Sequence, residues 1–182
     1  MITGYRIEVV LSFGVLVPLT PILFFHLAMR TLAWNCRGAG RASIVRALKE
    51  LIRESNPDII FLSETKIKST RINKICDRLK FVDSWCVDAD GLSGGLALFW
   101  RLGVELEVVF SNKNMIVASD YSDPPEAPWL LFAIYGPIQR SKKEKFWGLL
   151  ENMLSTFYGP WVDRRYELYK ACKRETWWTC SG

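Results

Sequence analysis

"TLAWNCRGAGRASIVRALKELIRESNPDIIFLSETK", residues 31–66, sets two short apolar runs on either side of one amphipathic stretch. Thr31–Asn35 reads as a buried strand: short, apolar and stopped by a glycine-bearing turn over Arg37–Ala42. Ser43 is placed to cap the helix that follows. In that helix Ile44, Leu48, Leu51 and Ile52 fall on one face, and Arg46, Lys49, Glu50 and Arg53 fall away from it. Asn56-Pro57 ends it, because the residue before a proline is pushed out of the helical region. Ile59–Leu62 is a second apolar strand, running into Ser63, Glu64 and Thr65. Strand, helix and strand in so short a span make a βαβ unit with parallel strands. The carboxyl ends of parallel strands share one rim, so Asn35 and Glu64 are expected to stand together there. Ligands of α/β proteins bind at such rims.

After Glu64 the chain turns basic. Lys66, Lys68, Arg71, Lys74, Arg78 and Lys80 face a single acid, Asp77. Ile72, Ile75 and Leu79 make a narrow helical seam, and Arg71, Lys74 and Arg78 make a stripe beside it. Such a stripe is either a solvated helix face or a surface for nucleic-acid phosphates. A run of strand candidates comes next: "FVDSWCVDAD", "GGLALFW", "VELEVVF", "MIVAS" and "WLLFAIY". In "VELEVVF" the residues Val104, Leu106 and Val108 share a face. Ser141 and Glu144 form a capping box. The helix they open carries Phe146, Leu150, Met153, Leu154 and Phe157 on one side and ends at Gly159-Pro160. The last twenty residues or so, with Tyr169, Trp177 and Trp178, show no period.

The whole chain has 182 residues, 49% of them apolar, with a formal charge of +5. That supports one domain with a real core and permits a polyanionic partner without requiring one. Five cysteines in no CxxC spacing and a single histidine, His26, exclude a zinc pattern. Reduced thiols in a nuclear or cytoplasmic protein are the expectation. Val9–Met29 carries no formal charge and is long enough to cross a bilayer. It reads either as an extension upstream of Met29, with no part in the fold, or as a membrane anchor.

With this order established, the chain resembles the endonuclease/exonuclease/phosphatase superfamily. More closely, it is similar to the apurinic-endonuclease-like domain of plant LINE-type, non-LTR retrotransposons. "LAWNCRG", "NPDIIFLSETK", "GLSGGLALFW" and "AIYGP" carry the resemblance, in the family's order, over residues 31–162. It implies a two-layer β-sandwich with flanking helices and phosphodiester cleavage of DNA with Mg²⁺ or Mn²⁺. It implies that Glu64 is the main metal-ligating carboxylate. Asn35 would orient phosphate and metal, and Tyr135 would bind a phosphate oxygen. Lys66 and Ser93 would support them from nearby loops.

The chemistry of these residue types agrees, since a hard divalent ion takes carboxylate, amide and water oxygens rather than thiolate. The resemblance stops at Trp161-Val162, where the family's Gly-Asp-x-Asn is replaced by Asp163-Arg164-Arg165. Its later Asp and Ser-Asp-His motifs have no match, and His26 matches no family position. The expected layout is therefore residues 1–28 as extension or anchor, 29–162 as a truncated domain and 163–182 as an unrelated tail. The expected function is a retroelement-derived nuclease fragment with very low activity. A non-catalytic nucleic-acid binder and a membrane-tethered protein are the alternatives. A sandwich lacking part of its facing sheet is also expected to expose an apolar face and to self-associate.

Overall fold

Thr31–Asn35 (β2), Ala42–Ser55 (α1) and Ile59–Ser63 (β3) form as the apolar spacing requires, and β2 and β3 pair in parallel with Asn35 opposite Ser63. This is a computed structural model, and it describes residues 10–13, 29–91, 94–122, 129–137 and 140–156. The helix α1 begins one residue before Ser43. Arg41 stands at its N-cap with no side-chain hydrogen bond, so the expected serine cap is not formed. Its end is as expected: Asn56 turns left-handed and its N–H closes on Ile52 O at 2.8 Å.

Ser69–Arg78 (α2) follows, then Asp83–Val87 (β4) and Leu96–Trp100 (β5). Val10–Phe13 (β1), Leu106–Asn112 (β6), Met115–Asp120 (β7) and Trp129–Ile134 (β8) supply the other strands. One sheet has the order β2-β3-β5-β4 and the other β1-β8-β7-β6. Apart from β2 with β3, every pair is antiparallel. The result is a mixed α/β fold with two sheets and helices.

Strand alternation divides the apolar residues of β3 and β5 between two cores. Ile60, Leu62, Ala97 and Phe99 face α1 and α2, packing with Leu48, Ile72, Ile75 and Cys76. Ile59, Phe61, Leu96 and Leu98 face the second sheet, packing with Ile116, Ala118, Leu131 and Ala133. All eight of these inter-sheet residues are fully buried. This corrects the expectation of an uncovered inner face. Strands β7 and β8 cover the inner face of β3 and β5, so self-association through that face is not supported. Trp85 Nε1 donates to Ser111 Oγ at 3.1 Å and ties the edge strands β4 and β6. A bulge at Val109 shifts the β6–β7 register.

The strand β1, from within the apolar Val9–Met29 run, pairs with the outer edge of β8. The rest of that run up to residue 28 lies outside the described residues. Among the described residues no helix is long and apolar enough to cross a membrane. The helix Arg140–Thr156 (α3) belongs to a separate unit of the chain, with Phe146 and Leu150 buried. Phe157, Gly159, Pro160 and the aromatic tail are outside the described residues.

Candidate active site

Three strand ends deliver the site. Asn35 is the last residue of β2, Glu64 directly follows β3, and Tyr135 directly follows β8. The parallel pairing of β2 and β3 brings the first two side by side. Asn35 Nδ2 donates to Glu64 Oε1 at 3.1 Å. The Tyr135 hydroxyl, 71 residues away in sequence, donates to the same oxygen at 2.6 Å. Lys66 Nζ faces the other oxygen, Oε2, at 3.5 Å. The Glu64 side chain is only 16% exposed, so each of these bonds acts in a partly dry setting.

Tyr135 is itself held. Its N–H donates to Asn114 O at 2.7 Å, and its carbonyl accepts from Asn114 Nδ2 at 2.9 Å. The asparagine at the β6–β7 turn thus fixes the start of the loop after β8. Sequence reading missed it, because a turn Asn has an ordinary local explanation.

Burial alone would push the Glu64 carboxyl upward. The Tyr135 hydroxyl, the Asn35 amide and the Lys66 ammonium together outweigh burial and hold it below its usual value. Glu64 is therefore a carboxylate at neutral pH. Its backbone is left-handed, φ 51, as is that of Lys66, φ 54. A non-glycine residue there costs on the order of 1–3 kcal/mol, which the surrounding structure must offset.

The donor set suits a hard divalent cation in one respect. Glu64 Oε1 is filled by two protein donors, while among the described residues Oε2 meets only Lys66, which is 38% exposed. Asn35 Oδ1 accepts the Arg37 N–H at 3.3 Å, so the amide serves to orient the carboxylate. Among the described residues no group of three or more His, Cys, Asp or Glu could cage a metal.

Ser93 lies outside the described residues. Arg71, Lys74 and Arg78 are exposed on α2, and Ile72, Ile75 and Cys76 form its buried side. Arg71 is not wholly free to serve a ligand: its guanidinium donates to Gly40 O at 3.3 Å. That bond ties α2 to the turn after Asn35.

An amide, a carboxylate and a phenol thus converge where β2, β3 and β8 end. The family model described as Endonuclease/Exonuclease/phosphatase family matches residues 32–166, and the chain belongs to that family. Among solved structures it is similar to TDP2 from Caenorhabditis elegans, at 14% identity and TM-score 0.49, over 70% of this chain and 41% of that one. It is similar to the AP endonuclease LMAP from Leishmania major, at 13% identity and TM-score 0.46, over 59% and 40%. The Xenopus laevis APE2 catalytic domain gives 19% identity and TM-score 0.43, over 67% and 52%. The match thus spans about half or less of each of these structures. No curated protein sequence matches the chain.

Proposed function

We propose that this chain carries half of a divalent-metal-dependent site for phosphodiester cleavage in DNA, descended from a retroelement nuclease. The observation that carries the reading is the three-way grip on Glu64 by Asn35, Tyr135 and Lys66. The motif order "LAWNCRG", "NPDIIFLSETK", "GLSGGLALFW", "AIYGP" supports the retroelement part. Enzymes of this family generally use divalent metals. A bound Mg²⁺ would supply charge stabilisation to the phosphoryl group and the departing oxygen. Glu64 would hold the ion through Oε2. Asn35 keeps the carboxylate aimed, and Tyr135 can turn its hydroxyl toward a phosphate oxygen.

Turnover by this chain as it stands is proposed to be near background. No histidine is among the described residues, and no group of three or more His, Cys, Asp or Glu there could hold a metal. A missing proton-transfer partner alone removes roughly 10²–10⁴-fold. The test is nicking of supercoiled DNA with Mg²⁺. Trace cleavage that Glu64→Ala abolishes supports the reading. Robust cleavage dependent on Glu64 overturns the near-background part, and cleavage indifferent to Glu64 overturns the site.

A second reading, a non-catalytic nucleic-acid binder, is favoured by one observation: Lys74 and Arg78 are both exposed on the same helix. DNA affinity that falls steeply with salt and survives Glu64→Ala is its mark.

A further inference from the structure

The Glu64 carboxylate owes its place to a loop clamped from two sides. Thr65 N–H donates to Gly95 O and Lys66 N–H to Gly94 O, each at 3.1 Å, while Ala39 N–H donates to Thr65 O at 2.8 Å. Thr65 lies between the two left-handed residues Glu64 and Lys66 and is 1% exposed. Its Oγ1 is buried with no hydrogen-bond partner. A buried hydroxyl left unpaired costs stability, so its place has to be held by the surrounding loop. The room for it is provided at Gly95. A Cβ on residue 95 would overlap Thr65 Oγ1, and would stand 3.2 Å from Ala89 Cβ and 3.3 Å from Ala89 N.

Gly94 provides the contrast. Its φ is +72 against +85 at Gly95, so both need a conformation that favours glycine, yet among the described residues a Cβ on residue 94 meets nothing within 4 Å. The two neighbours share a backbone requirement, and only Gly95 adds a steric one.

We propose that Gly95 is a positioning residue: the absence of a side chain there seats Thr65, and that seat sets the Glu64 carboxylate against Asn35 and Tyr135. Any side chain at 95 pushes Thr65 away, and the adjoining peptide carries Glu64 with it. The Asn35–Glu64 bond, already 3.1 Å, weakens first. The consequence for phosphate chemistry rests on the function proposed above, whereas the effect on Glu64 placement does not.

The experiment follows the Asn35 side-chain NH₂ resonances by ¹H–¹⁵N correlation in the full chain, so it reads the bond to Glu64 without any assay of cleavage. Glu64→Ala marks the bond-free position of those signals. Gly95→Ala is expected to move them to that position, and Gly94→Ala, with the same backbone strain and no overlap, is expected to leave them in place. Adding Thr65→Ala to Gly95→Ala is expected to return them toward wild type. Unmoved signals in Gly95→Ala, or equal movement in Gly94→Ala, overturn the proposal. If Gly95→Ala does not fold, the double variant decides: wild-type Asn35 signals support the proposal, and displaced signals or no fold overturn it. Asn35 signals displaced in Gly95→Ala, together with nicking that Glu64→Ala leaves unchanged, would count against the nuclease reading alone.

Discussion

Glu64 accepts two hydrogen bonds on one oxygen and an ammonium on the other, and these hold its ionised form in the fold. Its pKa is lowered on folding, so its contribution to stability is present above the usual carboxylate value of 4.5 and is lost as pH falls through the folded value. Glu64→Gln is expected to remove that acid-side loss in urea unfolding measured from pH 7 down to pH 3. Tyr135→Phe deletes the 2.6 Å bond, and the Glu64 pKa is expected to rise by carboxyl NMR titration, with stability falling by about 1–2 kcal/mol. Asp120 is the opposite case. It is fully buried, its Oδ2 has no partner, and burial pushes its carboxyl up despite the Ser122 hydrogen bonds, with Glu105 adding to the rise. A raised folded pKa gives stability that is present below the unfolded value and is lost as pH climbs through the folded one. Asp120→Asn is expected to remove that loss, so the variant gains on wild type as pH rises through the window. Parallel unfolding curves for the two proteins across it would contradict this. Asn35 and Glu64 were legible in the sequence because a βαβ unit fixes which strand ends are neighbours. Their pairing with Tyr135 was suggested only by family resemblance, since no local pattern joins positions 71 residues apart.

The helices show what periodicity reveals and what it hides. In α1 the apolar face was legible, and Leu48 is its buried centre. Leu48→Ala is expected to cost about 2–4 kcal/mol in urea denaturation, and an exposed change such as Arg46→Ala almost nothing. In α2 the seam of Ile72 and Ile75 was read correctly, but Cys76 is part of it too. A free cysteine behaves as a small hydrophobe, and this one belongs to the core cluster that holds Phe81 and Phe99. The basic stripe was legible as charge, yet the 3.3 Å bond from Arg71 to Gly40 needed the tertiary contact between α2 and the turn after β2. Any DNA affinity should therefore divide unequally along the helix. Lys74→Ala with Arg78→Ala is expected to lower the salt slope of binding by about 2 if each meets one phosphate of a duplex. A slope unchanged by the pair would place the contact elsewhere.

Across the two sheets, one inter-sheet core joins strands from both halves of the matched region. Phe61 on β3 and Leu131 on β8 are each fully buried in the sandwich. Phe61→Ala is expected to destabilise by about 3–5 kcal/mol and Leu131→Ala by about 2–5 kcal/mol. Because the core is shared, either change should shift near- and far-ultraviolet circular dichroism transitions together. Separated transitions would mean that the sheets unfold independently. The strands of the meander were legible from turn residues and alternation, but which of them pair and how one sheet packs on the other were not. Expecting an open face came from counting missing family segments, whereas β7 and β8 already cover the inner face of β3 and β5.

The sequence by itself determined the strands from β2 onward, the helices, the parallel β2–β3 pair and the shared rim of Asn35 and Glu64, all through short-range periodicity and one short crossover. The tertiary structure alone decided that Tyr135 reaches Glu64, that Asn114 holds Tyr135, and that Thr65 Oγ1 fills the space a side chain at Gly95 would need. The last two follow from which strands pair within each sheet, β7 with β8 and β3 with β5. The first follows from the packing of one sheet on the other, and no spacing along one strand encodes either choice.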